Sequence, residues 1–273
     1  MKRLGLALLL AVAATAGAQT SERQRPEMTR AESQAINGVI VALEHKDCSR
    51  AVARLNSGLA QAYPGFFMLA GSMYEDGLCL KPNWERAERM YLRAHEAGHN
   101  DGMLRLVAGY ALGGRDPGAA LWWAQRAHRL RVPADCKAEP GDAQDPDRFV
   151  AALRDWPRER LDACLYVLGV TARVIGDVDY PASALVFELA GTVEMHFKPA
   201  AGAIEWRTLA IQEPQMTGVV DGDTLRDRGS RRVQRALETH LREIGLRALK
   251  AFPKPAVVPE AWEWKTTFFF TLE

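Results

Sequence analysis

Between residues 47 and 130 the sequence repeats itself, which restricts the fold more than any single motif. Setting AGSMYEDG (70–77) beside LVAGYALG (106–113) superposes Tyr74 on Tyr110 and Gly77 on Gly113, and the same shift of 36 residues superposes Ala51 on Ala87. A partial third copy follows, with AERMYLRA (87–94) answered by ALWWAQRA (120–127), so that Ala87 meets Ala120 and Ala94 meets Ala127. A period of roughly 30 to 40 residues holding two helical stretches predicts an α-solenoid, in which each helix pair buries its apolar face only against its neighbours. Alanines let adjacent helices approach, Tyr74, Tyr110 and Trp123 fill the gaps between pairs, and the glycines end helices as C-caps.

These residues resemble the Sel-one-like family of tetratricopeptide-related repeats, whose copies carry an alanine early in the first helix and an LGxxYxxG pattern late in the second. Ala70 to Gly77 follows that pattern with Ala70 in place of the Leu, and Leu106 to Gly113 follows it with Val107 in place of the first Gly. The resemblance covers about residues 47 to 130 and implies a protein-interaction scaffold, not a reaction. It also implies that Cys48, starting the first helix of a pair after the Asp47 cap, and Cys79, following the Gly77 that ends the second, antiparallel helix, are neighbours. A bridge there would close a loop, which in the chain-entropy account stabilises by about 3–4 kcal/mol.

The start MKRLGLALLLAVAATAGA has the basic n-region, apolar h-region and Ala16-Gly17-Ala18 end of a secretory signal peptide, predicting cleavage after Ala18 and a periplasmic destination. Leu4 to Ala18 is shorter than the ~20 residues a spanning helix needs, so no stable membrane span is expected after leader cleavage. Losing Lys2 and Arg3 turns the formal charge from +1 to −1, leaving no basic footprint for nucleic acid. The arginines at 226, 228, 231, 232 and 235 are interleaved with Asp221, Asp223, Asp227 and Glu238, which reads as a solvated helix face. All four cysteines, Cys48, Cys79, Cys136 and Cys164, lie in the exported part, and an even count in an oxidising compartment favours disulfides. Three pairings are possible. The sequence-local one, Cys48–Cys79 with Cys136–Cys164, is preferred.

Residues 19–46 read as a flexible start and a first helix, opened by the capping-box pattern Thr29…Glu32. After the repeats, residues 131–175 read as a Pro/Asp/Gly-rich loop followed by capping helices near 147–154 and 157–175. At 176 the period changes. GTVEMHFK (191–198) alternates apolar and polar residues, AIEWRTLAI (203–211) follows a turn, and a helix from about 228 to 250 carries the stripe Val233, Leu237, Leu241, Ile244 and Ala248. WEWKTTFFFTL (262–272) closes the chain with Trp262, Trp264, Phe268, Phe270 and Leu272 on one face. The expected fold class is therefore multidomain, an N-terminal α-solenoid of helix-pair repeats followed by an α+β domain (176–273) of β-β-α-β order.

This last block resembles the TonB C-terminal domain family through Tyr180-Pro181 with Ala184, Gly191-x-Val193 leading a strand to Phe197, Gly202 in the hairpin turn, and FPKP at 252–255. It departs where QEPQMTGVVDGDT follows the second strand. The resemblance implies binding by strand addition at the sheet edge, with an envelope protein or an extended peptide as partner. Trp262, Trp264, Thr267, Phe269 and Thr271 on the last strand are then the candidate contacts. Alternation makes the even-numbered aromatics core residues on the bland reading, which leaves Phe269 as the aromatic that core packing does not absorb. A full energy transducer needs an anchor and a long Pro-rich linker. The expected function is an exported, non-enzymatic interaction protein of unassigned oligomeric state, with an anchored TonB-type energy transducer as the alternative.

HEAGHNDGMLR (95–105) offers a rival chemistry. His95 and His99 stand four apart with Glu96 between them, the spacing of a helical zinc protease site, and Gly102 continues the extended pattern. Arg105 occupies the third ligand position, where a cation repels zinc, and Gly98 breaks the helix before His99 can align with His95. The motif is therefore read as a decoy at a joint of the repeat, with His95 and Glu96 solvated. No catalytic residue, metal or cofactor is expected, and a secreted zinc hydrolase is the minor alternative.

Overall fold

The protein is described by a computed structural model that covers residues 29–139, 143–178, 190–212 and 223–270. The expected leader and polar start, Tyr180-Pro181, Ala184, Thr271 and Leu272 lie outside these residues, as do the side chains of the arginines from 226 to 235 and of Val233. Among the described residues, nine α-helices and one three-stranded antiparallel sheet make a mixed α+β architecture.

The first helix, α1 (Arg30–Glu44), starts where Thr29 Oγ1 accepts the N–H of Glu32 at 3.1 Å. The Glu32 carboxylate reaches across the fold and accepts the N–H of Gly65 at 2.8 Å. It thus satisfies an open donor at the start of α3 (Pro64–Asp76) and places a negative charge at that helix's positive end. Helices α2 (Cys48–Ala60), α4 (Trp84–Glu96) and α6 (Pro117–Ala124) open on the caps Asp47, Asn83 and Asp116, each accepting a backbone N–H three residues on at 2.8–3.0 Å. Three residues or so into these helices sit Ala51, Ala87 and Ala120, all fully buried. Helix α3 ends on Gly77 and α5 (Asp101–Ala111) runs into Gly113, at φ 71° and 63°, a left-handed geometry that costs glycine little.

The spacing of these helices shortens from 36 residues (48 to 84) to 33 (84 to 117), and the difference lies in one place. In both joints the N-cap donates its N–H to a tyrosine carbonyl of the helix before it, Asn83 to Tyr74 at 2.9 Å and Asp116 to Tyr110 at 3.0 Å. Residues 78–82 fill the first joint and only residues 114–115 the second. The longer joint holds Cys79, bridged to Cys48 across a Cα separation of 5.0 Å.

Helices α7 (Pro146–Leu153) and α8 (Arg158–Asp177) follow, close to the expected bounds. Buried on most sides, α8 packs against α5 and α6 and, further along the chain, against α9 (Asp223–Ala251). Cys136–Cys164 pins the preceding loop to it. The sheet has the order β2-β1-β3, with β1 (Ala190–Lys198) central between β2 (Ala203–Gln212) and β3 (Trp264–Phe270). The expected last strand was 262–272. It begins at Trp264 instead, because Trp262 donates its N–H to the Pro259 carbonyl at 3.1 Å and closes a turn there. Val193, Met195 and Phe197 of β1 and Trp264, Phe268 and Phe270 of β3 are buried on the inner face together with Leu241, Ile244 and Ala248 of α9. This core is continuous with the apolar residues of α5, α6, α7 and α8. A smaller cluster joins α1, α2 and α3 around Leu55 and Phe66.

Candidate functional site

The HEAGH segment is divided by a helix end. His95 lies in the last turn of α4, Gly98 at φ 89° turns the chain, and His99 precedes α5, so the two imidazoles do not share one helix face. Glu96 is exposed as expected. His95 is not, because Trp123 of the next helix pair meets its ring edge-on at 5.5 Å between centroids. His99 is buried with Nδ1 4.0 Å from the Asp101 carboxylate. Among the described residues no group of three or more His, Cys, Asp or Glu is placed to hold a metal ion.

Arg105, at the motif's third ligand position, is the centre of a different construction. Its Nη1 lies 2.6 Å from Asp177 at the end of α8, and Nη2 donates to the Gly176 carbonyl at 3.2 Å. Arg173, one turn earlier on α8, pairs with the same Asp177 through Nε at 2.7 Å and with Glu75 of α3 through Nη1 at 2.7 Å. Glu75 also accepts the Tyr91 hydroxyl at 2.6 Å. Burial first, and then the Glu75 charge, push the Tyr91 phenol well above its ordinary pKa. Burial alone would lower both guanidinium values, but Tyr91, Asp177 and Glu75 outweigh it at Arg105, and Glu75, Asp177 and Asp76 outweigh it at Arg173, so both are raised. The charges are engaged with one another, and the network clamps α8 to α3, α4 and α5. The pairing was hidden in sequence because Arg173 and Glu75 are 98 residues apart.

Of the five candidate contact residues, two fasten the strand from within. Trp264 is buried and donates its indole N–H to the Arg131 carbonyl at 2.8 Å, while Trp262 is half-buried and donates to Asp135 Oδ2 at 3.2 Å. The two rings meet edge-on at 6.0 Å. Both acceptors lie in the loop that Cys136–Cys164 pins, so the entry to β3 is held by a cross-linked support. The signal for this was present in kind but not in place: a buried indole requires an acceptor, but its position cannot be read from a tryptophan. Thr267 and Phe269 point outward, opposite Glu194 and Thr192 of β1, and Phe269 is 74 % exposed. Thr271 lies outside the described residues.

The outward face around them is charged. His196 of β1 pairs with Glu263 and lies 3.9 Å from Glu205, which accepts a hydrogen bond from Lys198 at 2.9 Å that lowers its pKa. Among the described residues β3 is paired on one side only, by β1, and no other strand among them lies along its far edge. Compared with known proteins, the chain matches no family, no curated protein and no solved structure.

Proposed function

We propose that the chain is an exported interaction protein, a short solenoid of Sel-one-like helix pairs joined to a TonB C-terminal-domain-like module, which takes up an extended segment of another envelope protein along β3 and does not transduce energy. The observation that carries this reading is that, among the described residues, β3 is paired on one side only, beside an exposed Phe269 on a strand whose start is fastened by Trp262 and Trp264. An unpaired edge is a template for a further strand, with main-chain hydrogen bonds supplying affinity and neighbouring side chains selectivity. A fastened strand spends little conformational entropy on binding. Two closed disulfides suit an oxidising compartment outside the cytoplasm. Among the described residues no helix is long and apolar enough to cross a membrane.

A photoreactive amino acid placed at Thr267, and separately at Arg93 on α4, tests the reading in the intact exported chain. The reading requires crosslinks from Thr267 to one defined peptide of one envelope protein. Crosslinks from Arg93 alone would move the binding surface to the helices, and the edge would then have no part in it.

A further inference from the structure

The layer beneath the sheet can be ordered strand by strand. A Cβ at Gly245 of α9 would stand 3.5 Å from Ile204 of β2, Tyr166 of α8 meets Phe197 of β1 at 5.9 Å, and Trp264 of β3 rests on the Arg131 carbonyl. Beneath β2, β1 and β3 therefore lie α9, α8 and the loop 131–136 in that order, so the far edge of β3 is on the loop side. Beside that loop a cleft of about 460 Å³ opens between residues 134–139, the first turns of α8 and the segment leading into β3.

Its apolar wall is Trp262, with Val257 beside it, and Trp262 is fixed because its indole N–H is held by the Asp135 carboxylate. Arg160 is already engaged: its Nε donates to the Asp135 carbonyl at 2.7 Å and its guanidinium stacks 3.5 Å over the Trp156 ring. Lys137 lines the cleft together with two exposed carboxylates, Glu139 and Glu159, and the lining as a whole carries three carboxylates against two cations. A rigid indole face ringed by excess negative charge suits a flat cation, since a guanidinium can stack on the ring while its N–H groups meet the carboxylates.

We propose that this cleft receives an arginine side chain of the extended segment that pairs with β3, and so sets which segments bind. The inference rests on the edge reading above and names its ligand. The test is to select random displayed peptides against the whole, disulfide-intact chain. A selected peptide is then titrated beside its Arg→Ala form and its backbone N-methylated form, on the wild type and on Glu139→Gln/Glu159→Gln. Both glutamates are exposed, so this variant keeps the fold, and an unchanged melting curve checks it. Arginine is expected at one fixed position, with Arg→Ala weakening binding about tenfold on the wild type and less than about threefold on the variant. Peptides without a preferred arginine, or an equal loss on both proteins, overturn the cleft. If N-methylation abolishes binding while arginine is dispensable, the edge reading survives and the cleft falls. If the arginine preference persists and N-methylation does nothing, the cleft stands and the edge reading falls.

Discussion

Two kinds of junction hold the helical part together, and they differ in what they demand of the chain. Where consecutive helices pack, contact is made by the absence of side chains: a Cβ at Gly71 would stand 2.3 Å from the Tyr91 ring and one at Gly109 1.8 Å from Trp84. Where α8 meets the same helices, an apolar core shared with α5 is bordered by charge, with Arg105 and Arg173 reaching Asp177 and Glu75. The first junction is set by size and tolerates no added volume. The second tolerates volume better, but not the loss of a partner.

The sharpest way to break this contrast is Arg105→Met. It leaves Asp177, whose side chain is 9 % exposed, with one partner fewer, and removing a member of such a buried ion pair costs about 3–5 kcal/mol. A urea titration measures it, and adding Asp177→Leu is expected to recover part of the loss, because the uncompensated charge goes with it. Next in size is opening either disulfide. Sequence separations of 31 and 28 predict nearly equal losses of about 3–4 kcal/mol for Cys48→Ala/Cys79→Ala and Cys136→Ala/Cys164→Ala. Hydrogen exchange separates the two, since only the second pair should loosen the entry to β3.

Gly71→Ala is smaller. Overpacking against Tyr91 is expected to cost about 1–3 kcal/mol, read as a lower urea midpoint at unchanged slope. A loss as large as that of Arg105→Met would erase the distinction between the junctions.

The smallest effect concerns pH. Tyr91 and Tyr110 are both held above the ordinary phenol value, by burial first and then by Glu75 and Glu88 respectively. Below about pH 10 both folded and unfolded phenols are protonated and the stabilisation is present in full. Above it the unfolded chain releases protons first, so stability falls as pH rises through the native value. Tyr110→Phe should make this alkaline decline shallower in melts from pH 8 to 11.

What was legible in the sequence was local. Caps, glycine stops and alternation each act within a few residues, so the start of α1 and the bounds of α8, β1 and β2 fell within a residue or two of expectation. Glu32 shows where legibility ends: the capping pattern placed the helix start, but the carboxylate's partner, Gly65, is 33 residues away and depends on how α1 meets α3. His95 is the same lesson at the candidate zinc motif. Its neighbour, Trp123, arrives from another helix pair, and nothing in the five letters HEAGH announces it.

The unequal joints after Gly77 and Gly113 separate counting from stacking. Because the tyrosine carbonyl and the next N-cap meet in both, the position of each new pair is fixed by that handshake and not by the number of residues spent reaching it. The chain can change phase at these joints without changing partners, so a fixed-period comparison drifts out of step after Gly113 while the packed alanines remain in line. The same freedom makes the second joint, at Gly114 and Arg115, the natural place to lengthen the molecule.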